Sequence, residues 1–368
     1  MTKEKKFKKR KLWQKIIIYL LLIILIIVLV FSALIGYLTL TEFNPDKEVP
    51  LKLTGKSQTN SVNKSREMTA VSWNIGYGAL GSDADFFMDG GKSVDTADKD
   101  GVNKNLKGIS SELNSLNPDF ILLQEVDTDA KRSSYINEAS KLQNELLNQD
   151  YQSSFAENFK VKFIPYPIPP IGKVNAGIMT LSKSKISEAT RVQLPCPFKW
   201  PTRIANLKRC LSINRLPIEG SDKELVIVNL HLEAYDDGEG KKAQAEMLRK
   251  YLQSEADKGN YVIAGGDFNQ TFSGTDTSIM KQFNGTWKPP VLDTNKFDKS
   301  WQFLMDTKTA SCRSLDKPLT SLNTNKFQFY IIDGFIVSSN IKITSLETKQ
   351  MGFKNTDHNP VILKFKLK

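Results

Sequence analysis

Histidine is nearly absent from this chain: 368 residues hold only His231 and His358. Cysteine is scarce as well, at Cys196, Cys210 and Cys312. No Cys-x-x-Cys or Cys/His cluster occurs, which excludes the usual structural zinc sites and a disulfide-built scaffold. Cys196 and Cys210 can form at most one bridge, leaving Cys312 over. No Gly-x-Ser-x-Gly elbow exists for a serine hydrolase, and Gly90-Gly91-Lys92 does not complete a phosphate-binding Gly-x-x-x-x-Gly-Lys-Ser/Thr loop. Internal repeats are also missing. A role for histidine must therefore fall on two identifiable side chains.

Charge is missing altogether from Ile16 to Leu38, 23 residues dominated by Ile, Leu and Val. About 20 such residues span a bilayer core as a helix. The run is longer than a signal peptide core and lacks a clear small-residue cleavage site, so an uncleaved anchor is expected. Residues 1–15 carry eight Lys or Arg and one Glu, whereas TLTEFNPDKE follows the span. The positive-inside rule puts the basic tail in the cytoplasm and the remainder outside, in a single-pass topology. That tail supplies +7 of the formal +11, so the basic balance reports topology rather than nucleic-acid binding. Residues 39–67 are polar, broken by Pro and Gly, and read as an extracellular tether. Residues 68–368 form one domain with a sizeable core.

Within that domain, strands are expected at MTAVSWN, DFILLQEV and AGIMTLS. Others are expected at NYVIAGGD, FQFYIIDGFIVSS, ITSLETKQ and the terminal NPVILKFKLK. Residues 208–218 and 223–232 read as a hairpin turned at EGSD. Helices are expected over 98–116, 136–149 and 238–259. Several neighbouring strand pairs leave no room for a crossover helix, which favours two packed sheets flanked by helices over a doubly wound fold.

Candidate chemistry gathers where strands meet polar loops. Glu125 offers a carboxylate to a hard, oxygen-seeking cation such as Mg²⁺, with Gln124 to orient it and Asp127 as a lesser candidate. Asn74 can touch the metal or a ligand water, or simply make a turn before Gly76. Asp267 in GGDFN can align or deprotonate water, and Asn269 can donate to a phosphoryl oxygen. His231 can donate to a nonbridging oxygen. Asp333 is the expected partner of His358, leaving Asp357 for the metal, because adjacent residues of a strand face opposite ways.

These segments resemble the endonuclease/exonuclease/phosphatase superfamily over residues 68–368. The resemblance rests on WNIG (73–76), QEVD (124–127), NAGIMTLSK (175–183), NLHLE (229–233), GGDFN (265–269), IDGFIV (332–337) and TDHNP (356–360), in that order. It implies a four-layered α/β sandwich of two mainly antiparallel sheets flanked by helices, here preceded by one transmembrane helix. It also implies Glu125 as main metal ligand with Asn74 and Asp357 nearby, and Mg²⁺ as cofactor, with Mn²⁺ or Ca²⁺ as alternatives. Asp267 and Asn269 take the water-aligning and phosphoryl-binding roles, His231 binds phosphate, His358 pairs with Asp333, and Asn175 shapes a site loop. Two positions depart from the family pattern. Thr356 replaces a common Ser, and Gly334 replaces a common aromatic, which would widen the pocket.

The motifs recognise a phosphate ester and say little about what is attached. Lys173, Lys199, Arg203 and the Lys208-Arg209 pair could bind a polyanion; the proline-rich IPYPIPP loop with Phe163 could touch a membrane or stack on a base. The expected function is hydrolysis of phosphodiesters by an outward-facing, membrane-anchored nuclease. A sphingomyelinase-like lipid phosphodiesterase or a phosphatase is the alternative, and an inactive binding module the remaining one. The expected partners are nucleic acid and, through the N-terminal helix, the lipid bilayer; no protein partner is evident.

Overall fold

A computed structural model describes residues 3–146, 150–236, 238–320 and 324–368. Helix α1 (Lys3–Leu40) is followed by strands β1 (Glu48–Pro50), β2 (Leu53–Gly55) and β3 (Met68–Asn74). Then come α2 (Lys99–Leu116), β4 (Phe120–Asp127) and α3 (Glu138–Glu145). Strands β5 (Gln152–Ile164), β6 (Gly172–Ser182), β7 (Glu188–Gln193), β8 (Cys210–Pro217) and β9 (Glu224–His231) lead to α4 (Glu239–Asp257). The chain continues through β10 (Tyr261–Asp267), β11 (Thr271–Phe272), β12 (Val291–Leu292), β13 (Trp301–Leu304), β14 (Cys312–Arg313) and β15 (Phe329–Tyr330). It closes with β16 (Asp333–Ser338), β17 (Ile341–Thr348) and β18 (Val361–Leu367).

Two seven-stranded sheets result, ordered β1-β7-β8-β9-β10-β16-β13 and β17-β18-β3-β4-β6-β5-β2. Pairing is antiparallel except for β9 with β10 and β3 with β4, which run parallel. Side-chain alternation explains the layers. On β4, Phe120 and Leu122 point between the sheets to meet Ile227, Ile263 and Phe335. Ile121 and Leu123 point outward beneath Leu106, Ile109 and Leu113 of α2. Burial on both faces is why this strand reads as an unbroken apolar run. Across the sandwich, Leu248 and Leu252 of α4 cover Val226, Val228 and Val262. The expected sandwich of sheets flanked by helices is present.

The segment expected to be a loose tether is built into the fold. β1 pairs with β7 at the edge of one sheet and β2 with β5 at the edge of the other, while Val62 is fully buried. Open sheet edges offer unpaired backbone groups, and Val49, Leu51 and Leu53 alternate as a strand requires. The helix expected over 136–149 spans Glu138–Glu145, capped by the Asn137 side chain accepting from Ser140 N at 2.9 Å; residues 147–149 lie outside the described residues. All three cysteines are free, so Cys196 and Cys210 are unpaired. Lys11–Leu40 within α1 is long and apolar enough, by length and composition, to cross a membrane. The helix runs back through the basic tail because Lys and Arg are good helix formers.

Candidate active site

Strand register assembles the site. Asp267 ends β10 opposite His231 of parallel β9 and Asp333 of antiparallel β16. Residues level with one another on adjacent strands point to the same face, so these three side chains stand in a row. Two glycines permit the close approach. A Cβ on Gly265 would lie 2.4 Å from the Phe335 ring, and one on Gly266 2.0 Å from the Leu230 carbonyl oxygen.

The other sheet supplies Asn74, at the end of β3, and Glu125. Glu125, within the expected strand DFILLQEV, lies inside β4 at an irregularity in the pairing with β6 between Leu123 and Val126. Its φ of 54° is strained for a residue with a Cβ, and bulges of this kind re-aim side chains beside active sites. Gln124 does not orient it: its amide donates to Asn229 Oδ1 at 2.8 Å, between the sheets. Asp127 is also elsewhere, gripped by Arg132 through Oδ1 at 2.8 Å and Oδ2 at 3.1 Å.

His358 Nδ1 lies 2.9 Å from Asp333 Oδ2. Its Nε2 lies 3.8 Å from Asp267 Oδ2 and 3.9 Å from Asp357 Oδ2. Residues 351–359 form turns and bends rather than strand, so Asp357 and His358 converge where alternation would have parted them. His231 Nε2 approaches Asp267 Oδ2 to 3.5 Å and Glu125 Oε1 to 4.0 Å. Both histidines thus approach the same carboxylate oxygen, Oδ2 of Asp267. The site brings together Asn74, Glu125, His231, Asp267, Asn269, Asp333, Asp357 and His358. Asn175 sits at the base of the β5–β6 hairpin, level with Lys160, with its Oδ1 buried and unpartnered.

Asn74 sits among the carboxylates of the site. Its Oδ1 accepts from Gly76 N at 3.0 Å, and its Nδ2 donates to Glu125 Oε1 and Asp267 Oδ2, each at 3.1 Å. It bridges two carboxylates. Asn269 Nδ2 donates to Leu232 O at 2.9 Å, and its backbone N–H donates to Asp267 Oδ1 at 2.8 Å. Gly334 does not widen the pocket either: a Cβ there would strike Leu304 O at 2.4 Å, so glycine is required by the packing of β16 on β13.

Electrostatics separate the titratable groups. Burial, reinforced by Asp333, pushes the Asp267 carboxyl up to about 7, near the optimum for a proton acceptor at neutral pH. Burial, with Glu125 adding to it, pushes Asp357 up to about 6. Burial lowers His231 well below its usual value, helped by Arg209, so its contacts are those of a neutral imidazole. For His358 burial acts downward, but Asp333, Cys312 and Asp357 overcome it and raise the imidazole well above its usual value.

Several supporting residues were invisible in the sequence. Ser311 Oγ accepts from Ile332 N at 3.0 Å and Asp333 N at 3.1 Å, fixing the strand start that carries Asp333. Cys312 pairs through a backbone bridge with His358, and burial pushes its thiol up to about 12. Arg209, offered as a polyanion binder, is buried 3.7 Å from Glu233 behind His231. Nothing short of the tertiary fold marks these residues.

Among the described residues, two groupings have ligand atoms within 4.8 Å of one another and could hold a metal ion: Asp267, Asp333 and His358; and Cys312, Asp357 and His358. In the first, His358 Nδ1 is already bonded to Asp333. In the second, a neutral buried thiol is a poor donor to a hard cation. Burial, with the charge of Glu125 added, raises Asp357, and a divalent cation relieves both, so the oxygen-rich donor set fits one.

This fold and site define a metal-dependent phosphodiesterase. The family model for the endonuclease/exonuclease/phosphatase family matches residues 71–314, and the chain belongs to that family. A search of curated proteins finds no match. Among solved structures, an endonuclease/exonuclease/phosphatase from Beutenbergia cavernae is similar at 17% identity and a TM-score of 0.55, covering 82% of this chain and 72% of that one. ANGEL2, a 2′,3′-cyclic phosphatase, has 13% identity and a TM-score of 0.53, covering 87% and 98%. The human Nocturnin catalytic domain with bound sulfate has 17% identity and a TM-score of 0.51, covering 86% and 98%. At these identities the likeness speaks for the fold.

Proposed function

We propose that the chain is a membrane-anchored, outward-facing enzyme that hydrolyses phosphodiesters by direct attack of water. The observation that carries this is the placing of Asp267 between the two histidines, with Nε2 atoms at 3.5 and 3.8 Å. Asp267, held by Asn74 and by the Asn269 N–H, takes the proton of the attacking water as its oxygen bonds to phosphorus and the opposite P–O ester bond breaks, the leaving oxygen taking up a proton from solvent. His358, oriented by Asp333, and the neutral His231 donate to the phosphoryl oxygens and neutralise charge as it develops. Asn269 keeps one amide hydrogen beyond its bond to Leu232 O for the same purpose. Glu125 and Asp357 would hold the divalent cation, Mg²⁺ by their oxygen chemistry, which supplies Lewis-acid charge when bound.

The anchor reading rests on α1 and its basic cytoplasmic flank. Nucleic acid is the substrate class the sequence prefers, but the cations offered for it are mostly engaged. Lys173 pairs with Asp129, Arg203 and Lys208 with Glu42, and Arg209 faces Glu233. That pairing favours the second reading, a phospholipid headgroup diester. Full-length protein in nanodiscs, with and without Mg²⁺, should be given DNA, RNA and sphingomyelin bilayers beside an Asp267→Asn control. Metal-dependent turnover lost in the variant supports the reaction, and the substrate consumed decides the class. Isotope tracing that revealed a covalent enzyme intermediate would overturn direct water attack.

A further inference from the structure

The catalytic end of the sandwich and the exit of α1 are the same end. β4 stops at Asp127, level with Ala176 of β6, yet the β5–β6 hairpin continues from Lys160 and Asn175 to Ile164 and Gly172. Those four further residues carry it on the order of 13 Å past the last β4 residue before its loop begins. The β7–β8 loop leaves from the same end, because Gln193 pairs with Cys210 and Leu211 with Leu230, one residue before His231.

Helix α1 docks on both overhangs. Leu38 packs with Val161 of β5 and with Ile204, together with Leu34 and Ile35. Trp200 Nε1 donates to Thr39 Oγ1 at 3.1 Å, and Glu42 accepts from Arg203 at 3.2 Å and Lys208 at 3.0 Å. Lys160 and Arg191 lie over the Phe43 ring. The last turns of the apolar helix are therefore clamped to the domain beside its active-site end.

Large apolar side chains around this clamp are bare. Ile168 is 92% exposed, Tyr166 75%, Trp200 57% and Phe163 38%. Lys162 and Lys199 are exposed next to them. Aromatic residues with flanking lysines are the composition of a membrane–water interface, and neighbouring exposed apolar residues mark an interaction surface. Leu34, Ile35 and Leu38 belong to the apolar run itself, so whatever packs on them stands at the depth where that run leaves the lipid.

We propose that the β5–β6 hairpin tip and the Trp200 loop form a docking face for the bilayer that α1 crosses, turning the catalytic centre toward the lipid surface. The inference rests on reading α1 as a membrane anchor. It implies that the substrates best presented to the site are phosphodiesters carried in, or adsorbed on, the leaflet.

The test uses full-length protein in nanodiscs with Cys196→Ser as background, Cys210 and Cys312 being buried. Single cysteines at Tyr166→Cys and Ile168→Cys carry an environment-sensitive fluorophore. Val28→Cys reports the span, and Asp222→Cys reports the turn at the opposite end of the sandwich. Quenching by nitroxide lipids at 166 and 168, with most iodide quenching lost relative to 222, is the expected result. Iodide quenching at 166 and 168 equal to that at 222, with position 28 lipid-quenched, would overturn the docking face and leave the anchor standing. Lipid quenching at 166 and 168 but not at 28 would remove the anchor and overturn the proposal, leaving a lipid-binding surface that does not depend on α1. Loss of lipid quenching at all three would remove both.

Discussion

Asp333 bonds within the candidate site to His358, through one oxygen, while its Oδ1 is buried without a partner. Replacing that carboxylate by an amide keeps the volume and removes the charge that holds His358 protonated. Asp333→Asn should lower kcat by about 10²- to 10⁴-fold, the range of a positioned acid–base group, with little change in KM. Because the two residues act as a unit, Asp333→Asn combined with His358→Ala should cost no more than His358→Ala alone. Additive losses in that double-mutant cycle would show that they act separately. Gly334 makes a different kind of demand. A Cβ there meets backbone, which cannot swing aside as a side chain could. Gly334→Ala should cost about 1–3 kcal/mol of stability by overpacking, read as a lowered urea midpoint. An aromatic at this position should prevent folding rather than tighten the pocket.

At the scale of elements, Glu255 joins α4 to the sheet it covers. It accepts from Arg215 Nη2 at 2.7 Å, Lys258 Nζ at 2.7 Å and Asn260 Nδ2 at 2.9 Å. Burial acts to raise its carboxyl, but these donors outweigh it and bring it from the ordinary 4.5 to about 2. A folded value below the unfolded one means stability that is full above 4.5 and lost as pH falls toward 2. Glu255→Gln should therefore be less stable than wild type at pH 7 by on the order of 3 kcal/mol. The gap should close between pH 4.5 and 2 in denaturant titrations, and a pH-independent gap would refute the electrostatic cause. Elements like α4 were legible in sequence, since periodicity marks amphipathic helices and buried strands alike. Helix α2, expected over 98–116, spans Lys99–Leu116, with Gly101 N donating to the Asp98 cap at 2.8 Å. Strands β1 and β2 were passed over because three-residue edge strands carry too little pattern to stand out from a polar linker. In the site, each motif announced its own residue type. What it could not announce was register, and register alone sets His231, Asp267 and Asp333 abreast. For Asn74 the turn before Gly76 was legible, and Gly76 N donates to its oxygen, but the two carboxylates its amide nitrogen reaches are set by the fold.

For the whole molecule, a bound cation should contribute to stability as well as to the chemistry. Without it, burial keeps Asp357 near 6 and Asp267 near 7, above their ordinary 3.8. A folded value above the unfolded one contributes stability that is present below 3.8 and lost as pH rises through 6 to 7. The metal-free protein should therefore weaken over that window, where the ionised carboxylates become a better cation site. A ligand that binds only the folded state at 100 times its Kd adds about 2.7 kcal/mol. Over roughly 300 folded residues, with about 2.1 cal/mol/K of unfolding entropy each, that is a rise in Tm of about 4 °C. Melting curves in Mg²⁺ and in chelator should differ by about this much at pH 7.5, and by much less at pH 5, where protons compete for the same oxygens. Asp357→Asn should abolish the difference at both pH values. An equal Mg²⁺ effect at pH 5 and 7.5, or one that survived in Asp357→Asn, would place the cation away from Glu125 and Asp357. The reaction would then need another site for it.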